Sequence, residues 1–216
     1  MVTAIIPARG GSQGITRKNV QPLGDKPLFA WSIEVAHEAG MRVVVNTDDA
    51  EIGRMCEDFC VEVVMASSSV HSGHAINPTL HTISQLDLLQ EEKIFLLLPT
   101  GPLRKVDDLI MALKIMKAMK APSVIGVSRT KPKHSLRWIR DGKLVRLETG
   151  NPNKQRQEVE QLYTVNGNLF LSSVEVLERE KTFHVDGAVP IVMSGPCVDI
   201  DDSGDLDLAR ILKERE

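Results

Sequence analysis

The sequence predicts an α/β fold built on a mostly parallel sheet, and three observations lead there. Short apolar runs alternate along the chain with segments of helical period, the pattern of repeated strand–helix–strand units. The first apolar run, residues 2–6, feeds directly into Pro7-Ala8-Arg9-Gly10-Gly11-Ser12-Gln13-Gly14-Ile15-Thr16-Arg17-Lys18-Asn19. A glycine-rich turn at the carboxyl end of a strand is where open α/β sheets receive their ligands. Finally, 216 residues, 42% of them hydrophobic, suffice for one sizeable core with an appendage.

The elements follow in order. Strands are expected at residues 3–7, 42–46, 61–65, 94–98 and 123–127. A first helix begins after Asp25, with Pro27 in its first turn and Gly40 as its stop. Leu28, Trp31, Val35 and Ala39 recur at helical spacing and face inward. A second helix starts near Asp49 with Ile52, Met55, Cys56 and Phe59 on one side. A third follows Pro78, with Leu80, Ile83, Leu86 and Leu89 inward. A fourth covers about residues 107–119, and Met111, Met116 and Met119 read as core filling. Beyond Ser128 the pattern changes. Residues 136–140 and 143–147 flank Asp141-Gly142, a two-residue hairpin signal, and residues 148–162 are polar. The expected division is therefore a core of residues 1–127 and 165–216 with an arm at 128–164. Regular α/β character returns at 165–171, and a helix over 203–213 closes the chain, with Ser203 a candidate cap and Asp205 and Asp207 complementing its dipole.

Composition narrows the function. A net charge of −3 gives no electrostatic case for nucleic-acid binding. No uncharged apolar stretch is long enough to span a bilayer, and the start of the chain lacks a signal-peptide pattern. Three cysteines do not make a disulfide framework. Cys56 and Cys60 lie one helical turn apart without a second ligand pair, so buried thiols are expected rather than zinc. A reducing cytoplasm fits these features.

The chemistry-bearing residues form four groups. In the opening turn, Arg9, Arg17 and Lys18 point to a highly charged anion such as a triphosphate, with loop N–H groups converging on it. The turn lacks Gly-Lys-Ser/Thr, so it is not a P-loop, and its glycines do not fit Gly-x-Gly-x-x-Gly. Near the other end stands Val198-Asp199-Ile200-Asp201-Asp202. Alternation in an extended strand presents Asp199 and Asp201 on one side, a carboxylate pair suited to Mg²⁺ that also binds substrate phosphates; the competing reading is a capping cluster. Arg104, in Leu97-Leu98-Pro99-Thr100-Gly101-Pro102-Leu103-Arg104, is equally a substrate-facing cation or a helix-flanking charge. Arg156-Gln157 offers a guanidinium shaped for a carboxylate. Val45-Asn46-Thr47-Asp48-Asp49 reads as strand end, turn and helix cap, and His71 and His74 as an exposed loop pair.

These motifs resemble the acylneuraminate (CMP-sialic acid synthetase-like) cytidylyltransferase family over nearly the whole chain. The opening turn is similar to PARGGSKGIPRKN, with Gln13 for lysine and Thr16 for proline. Residues 97–104 are similar to LLQPTSPLR, with Leu98 for glutamine and Gly101 for serine. Asn166-Gly167 through Phe170 follow NGAIYI, and residues 198–206 follow SVDIDTPEDL. The loop around His71 and His74 stands where the family has a DTASS-like sequence.

The resemblance implies a Rossmann-like, nucleotide-diphospho-sugar transferase fold, a mixed sheet with an antiparallel strand in the C-terminal half, and a homodimer built through the projecting arm. It implies transfer of CMP from CTP to the anomeric hydroxyl of a nine-carbon 2-keto-3-deoxy sugar acid, with Mg²⁺ held by Asp199 and Asp201. Ala8, Arg9, Gly10, Gly11, Ser12, Lys18 and Asn19 then form the nucleotide site, with Arg9, Lys18 and Asp201 catalytic. Arg104, Arg137, Arg156, Gln157 and Asn166 are assigned to the sugar. CTP and an acidic sugar are the expected partners, without nucleic acid or membrane. A CMP-Kdo-type or other sugar nucleotidyltransferase and a non-catalytic nucleotide- or sugar-binding homologue are the alternatives.

Overall fold

The computed structural model describes residues 1–12, 14–132, 135–147 and 160–215. The central strand β1 (Val2–Pro7) is almost wholly buried, as a strand apolar at every position but Thr3 requires. It leads through the glycine-rich turn and a small ribbon, β2 (Pro22–Leu23) and β3 (Lys26–Pro27), into α1 (Leu28–Glu38). Gly40, at φ +71°, turns the chain out of α1 in the left-handed conformation that glycine tolerates best. Next come β4 (Arg42–Thr47), α2 (Ala50–Met55), β5 (Glu62–Met65), α3 (Ile76–Gln85), β6 (Lys93–Leu96), α4 (Val106–Met119) and β7 (Ser123–Arg129).

The C-terminal half holds β8 (Arg137–Arg140), β9 (Lys143–Arg146), β10 (Tyr163–Ser173), α5 (Val174–Glu180), β11 (Val189–Val192) and α6 (Ser203–Lys213). The main sheet has the order β11-β7-β10-β6-β1-β4-β5. β10 runs antiparallel to both β6 and β7, while the other neighbouring pairs are parallel. The mixed sheet expected from the resemblance is therefore present.

Alternation along the strands builds two cores. Ala4, Ile6, Val43, Val45, Phe95 and Leu97 meet Phe29 and Ile33 of α1 and Leu109 and Ala112 of α4. Ile5, Ile94, Leu96 and Phe170 face the other way, onto Ile83, Val174 and Leu177. A third cluster joins Leu23, Leu28 and Leu103 to Val198, Ile200, Leu206 and Ala209. This small core carries the C-terminal segment back to the opening turn.

Several elements differ from the sequence reading. α3 stops at Gln85, and Leu89 is exposed, because residues 86–92 form a connection and not another helical turn. Met116 fills the core as expected, but Met111 and Met119 lie on the solvent side of α4. Cys56 is buried, whereas Cys60 is exposed at a left-handed position, φ 52°. Asp202, not Ser203, caps α6: its carboxylate accepts from Asp205 N–H, and Asp205 reciprocates in a capping box. α5 and β11 were not anticipated.

The Asp141-Gly142 turn has φ 51° and 70°, the conformation of a type I′ hairpin. Its strands β8 and β9 form a separate two-stranded sheet whose described residues are exposed throughout. Among the described residues, no helix is long and apolar enough to cross a membrane.

Candidate active site

The opening turn is held by its neighbour, β4. Ala8 N–H donates to Asn46 O (2.8 Å), and Thr47 Oγ1 donates to Ala8 O (2.6 Å). Gly10 N–H donates to Asp48 Oδ1 at 2.8 Å. A Cβ on Gly10 would collide with the Asp49 carboxylate, so the sequence needs glycine there for close approach. This N–H is thus committed to Asp48, contrary to its expected role as a nucleotide donor. Gly11 is exposed with open space around its Cα. Asn19 is buried and ties the turn together through Nδ2 to Arg9 O (2.9 Å).

The three cations of the turn part ways. Arg17, at φ 52°, pairs with Asp49 (3.0 Å) and Glu51 (2.9 Å). It therefore braces α2, whose N-cap is Asp49. Burial pushes the Asp49 carboxyl up, but the Glu51 and Ile52 N–H groups and Arg17 outweigh it and set its pKa below the ordinary value. Arg9 and Lys18 instead line a cleft of about 270 Å³, together with Ser12 and Asn19.

Asp199 and Asp201 line the same cleft. The segment carrying them is not a hydrogen-bonded strand as expected, yet alternation survives: Val198 and Ile200 are buried, Asp199 and Asp201 exposed. Ile200 N–H donates to Thr100 O (2.9 Å), and Lys18 Nζ donates to Ile200 O (2.5 Å) and lies 3.3 Å from Asp201 Oδ1. A Cβ on Gly14 would strike the Asp201 carbonyl. The two ends of the chain therefore meet in one site. Among the described residues, no group of three metal-ligating side chains comes together. A cleft-facing carboxylate pair fits Mg²⁺, which takes one or two carboxylates and completes its shell with water and substrate phosphates.

The residues assigned to the sugar are placed differently. Arg104 is 7% exposed; its guanidinium donates to Asn168 O (2.8 Å), Ser32 Oγ (2.7 Å) and Leu98 O (2.6 Å). Burial pushes its pKa down to about 9, with Asp199 and Cys197 opposing, so it remains charged at neutral pH. It braces the loop after β6 against β10 and does not line the cleft. Asn166 is also buried, donating from Nδ2 to Ser128 Oγ (2.9 Å) and accepting at Oδ1 from Asn168 N–H (3.1 Å).

Asn166 sits where the β10–β7 register shifts, between Val165 and Phe170. The bulge brings Gly167, at φ +71°, against Asp199, to which a Cβ would approach within 3.1 Å. Arg137 is on the exposed hairpin strand β8. Arg156 and Gln157 lie outside the described residues.

His71 is the functional candidate that sequence reasoning missed. It was read as exposed, but it is buried and lines the cleft; only His74 is exposed. A second, adjoining chamber of about 410 Å³ shares His74, Ala75 and Leu98 with the cleft, and its floor is Leu96, Phe170 and Phe183 with Lys181, Thr182 and His184 at the wall. Of its lining, the sequence reading singled out His74, Leu98 and Phe170.

Comparison with known proteins agrees with this architecture. A family profile described as cytidylyltransferase matches residues 3–88. The N-acylneuraminate cytidylyltransferase of Escherichia coli is 28% identical over all of this chain, although the chain spans only 52% of that enzyme's length. The CMP-N,N′-diacetyllegionaminic acid synthase of Legionella pneumophila is 27% identical, over 99% of this chain and 96% of the relative. In fold, a CMP:2-keto-3-deoxy-manno-octonic acid synthetase solved with CTP superposes with a TM-score of 0.74 at 16% identity, covering 99% of this chain and 98% of that one. Turn, carboxylate pair, mixed sheet and relatives agree: the chain is similar to the acylneuraminate cytidylyltransferases along its whole length.

Proposed function

We propose that this chain transfers CMP from CTP to the anomeric hydroxyl of a nine-carbon 2-keto-3-deoxy sugar acid, releasing pyrophosphate. The observation that carries the proposal is the single cleft uniting Arg9 and Lys18 with Asp199 and Asp201. The names of the relatives supply the cytidylyl group and the acidic sugar. Arg9 and Lys18 hold the phosphates and stabilise the charge that grows as pyrophosphate leaves. Ser12 offers a hydroxyl donor from the same wall. The proton of the attacking hydroxyl would pass to Asp201, or be lost directly where Mg²⁺ lowers the hydroxyl's pKa. Asp199 and Asp201 would hold Mg²⁺, which when bound neutralises phosphate charge. The adjoining chamber is the place for the sugar, its acid group oriented toward the cations. Positioning and electrostatics account for catalysis here, since phosphorus chemistry asks little covalent work of the protein.

The hairpin supports a homodimer. Ile139 and Leu144 pair across it and are 78% and 75% exposed, while Trp138 and Val145 pair at the adjacent position and are also exposed. A two-stranded ribbon is at best marginally stable alone, and a second copy covering these side chains would stabilise it. Free cysteines at positions 56, 60 and 197 suit a reducing cytoplasm.

The test is pyrophosphate release with CTP, UTP and GTP against sialic, legionaminic, pseudaminic and Kdo-type sugar acids, with and without Mg²⁺. CTP- and metal-dependent release with a nine-carbon acid is expected. CTP binding without release for any sugar would show a binding protein in place of an enzyme. Release with the eight-carbon acid alone would move the chain to the Kdo-type activity.

A further inference from the structure

The buried amide of Asn166 has no role in the proposed reaction, yet it ties together three segments around Asp199. The residue is 9% exposed. Its Oδ1 accepts from Asn168 N–H (3.1 Å), and its Nδ2 donates to Ser128 Oγ (2.9 Å) and to Cys197 Sγ (3.5 Å). A backbone N–H can only donate, so the network fixes which end of the amide faces which neighbour. In return, Asn168 Nδ2 donates to Asn166 O (2.9 Å). One side chain thus links the β10 bulge to β7 and to Cys197, two residues ahead of Asp199.

Asp199 lacks such anchors of its own. Lys18 reaches Asp201 at 3.3 Å, but the Asp199 carboxylate forms no hydrogen bond or ion pair with a described residue. Packing limits its position instead. A Cβ on Gly167 would lie 3.1 Å from Asp199 Oδ2, 3.5 Å from Cγ and 3.7 Å from Oδ1, so the whole carboxylate rests against this glycine. Gly167 follows Asn166 and, at φ +71°, turns the bulge that the amide closes. On either side of Asp199, Val198 and Ile200 are buried in the third cluster. Mg²⁺ demands near-ideal octahedral geometry, so the placement of a ligating carboxylate matters as much as its charge.

We propose that Asn166 is a positioning residue for the metal site: its amide holds Gly167 against Asp199 and anchors Cys197, and so sets the carboxylate where a divalent cation takes it. This rests on the metal-dependent reading above and replaces the sugar contact expected for Asn166.

Mn²⁺ binding to the full chain, followed by electron paramagnetic resonance with and without CTP, tests the assignment beside the Mg²⁺ dependence of pyrophosphate release. Asn166→Ala should weaken Mn²⁺ about tenfold and raise the Mg²⁺ needed for half-maximal release by a similar factor, the scale of losing a group that orients a metal ligand. Saturating Mg²⁺ should restore most of kcat, since Asp199 itself remains. Ser172→Ala is the control for stability: it removes a bond to Pro122 O (2.7 Å) at the other end of β10 and should lower Tm without moving Mn²⁺ binding. A raised KM for the sugar with unchanged Mn²⁺ affinity, or equal Mn²⁺ losses in Asn166→Ala and Ser172→Ala, overturns the assignment.

Should Asn166→Ala not fold, a milder pair decides. Cys197→Ser keeps an acceptor for Asn166 Nδ2 and should bind Mn²⁺ as the wild type does, whereas Cys197→Ala should weaken it about threefold, within the scale of one hydrogen bond. Equal Mn²⁺ affinity in the two overturns the assignment. Mn²⁺ binding that depends on Asn166, without pyrophosphate release for any sugar, refutes the transferase reading and sustains this one. A wild type that binds Mn²⁺ neither alone nor with CTP refutes both.

Discussion

Replacing Lys18 by alanine strikes a side chain that joins the opening turn to the C-terminal segment. Its Nζ donates to Ile200 O at 2.5 Å and lies 3.3 Å from Asp201 Oδ1. The side chain is only 13% exposed, whereas Asp201 is 80% exposed. Two separate costs follow. Loss of one preorganised charge-stabilising donor lowers kcat by about 10²–10³. Loss of a charged hydrogen bond to the Ile200 carbonyl removes about 1.5–3 kcal/mol of stability. The ion pair itself adds little, because water screens so exposed a carboxylate. At about 2–4 °C per kcal/mol for a chain of this size, Tm falls by about 3–12 °C. Pyrophosphate release at saturating CTP and sugar reads the first cost, and scanning calorimetry reads the second. A variant with near-normal kcat and a lowered Tm would reduce Lys18 to a structural latch and refute its role in charge stabilisation. A variant unchanged in both would refute the geometry.

Further outcomes follow from the same contacts. Arg104→Lys should cost at least about 3 kcal/mol, because a lysine does not reproduce the fork that satisfies Asn168 O, Ser32 Oγ and Leu98 O; a sugar-contacting arginine would instead raise KM at unchanged Tm. Gly101→Ser should destabilise by about 1–3 kcal/mol, since a Cβ there strikes Asn168 Oδ1 and comes within 3.0 Å of Arg104 Nη2, and Asn168→Ala in the same chain should recover part of that loss in a double-mutant cycle. Asp49→Ala should cost about 0.5–2 kcal/mol at neutral pH. The Asp49 carboxyl titrates below its ordinary 3.8 in the fold, so its contribution is complete above that value and disappears as pH falls through the folded one; the Tm gap between wild type and variant, measured against pH, should hold above about pH 5 and close in acid. Ile139→Asp with Leu144→Asp should convert a dimer to monomers in sedimentation velocity, and a dimer that survives would place the interface elsewhere.

Much of the fold was legible because its signals are local. The apolar run around Ile5 announced a buried strand, and the structure splits its residues between two cores. Asp141-Gly142 announced its hairpin because a two-residue turn with both φ angles positive demands such residues. What failed was non-local. Whether Arg17 meets an anion or Asp49 depends on how α2 lies beside the turn. Whether Arg104 faces a substrate depends on β10, a strand 11 residues long of which only the middle was anticipated. His71 looked exposed because its loop is polar, and only packing against the cleft reveals its burial.

The departures from the family pattern show the same divide. Read along the chain, Gly101 for serine looks like the loss of a hydroxyl from the site. In space, Gly101 lies against the Asn168 amide, at the motif position where NGAIYI has alanine. A side chain absent on one strand end is thus matched by a larger one on the facing bulge. Asn168 Nδ2 donates to Asn166 O (2.9 Å) and its own carbonyl accepts from Arg104 Nε (2.8 Å). The exchange therefore keeps the bulge closed and Gly167 against Asp199. Seen this way, Gly101 gives no reason to doubt catalysis, since the feature it protects is the position of a carboxylate in the cleft. Leu98 differs in kind: it forms part of the boundary between cleft and chamber. On the proposed reaction, Leu98 and not Gly101 is the departure whose reversal to glutamine should change the preference among sugar acids, read as the ratio of kcat/KM values across the sugar panel.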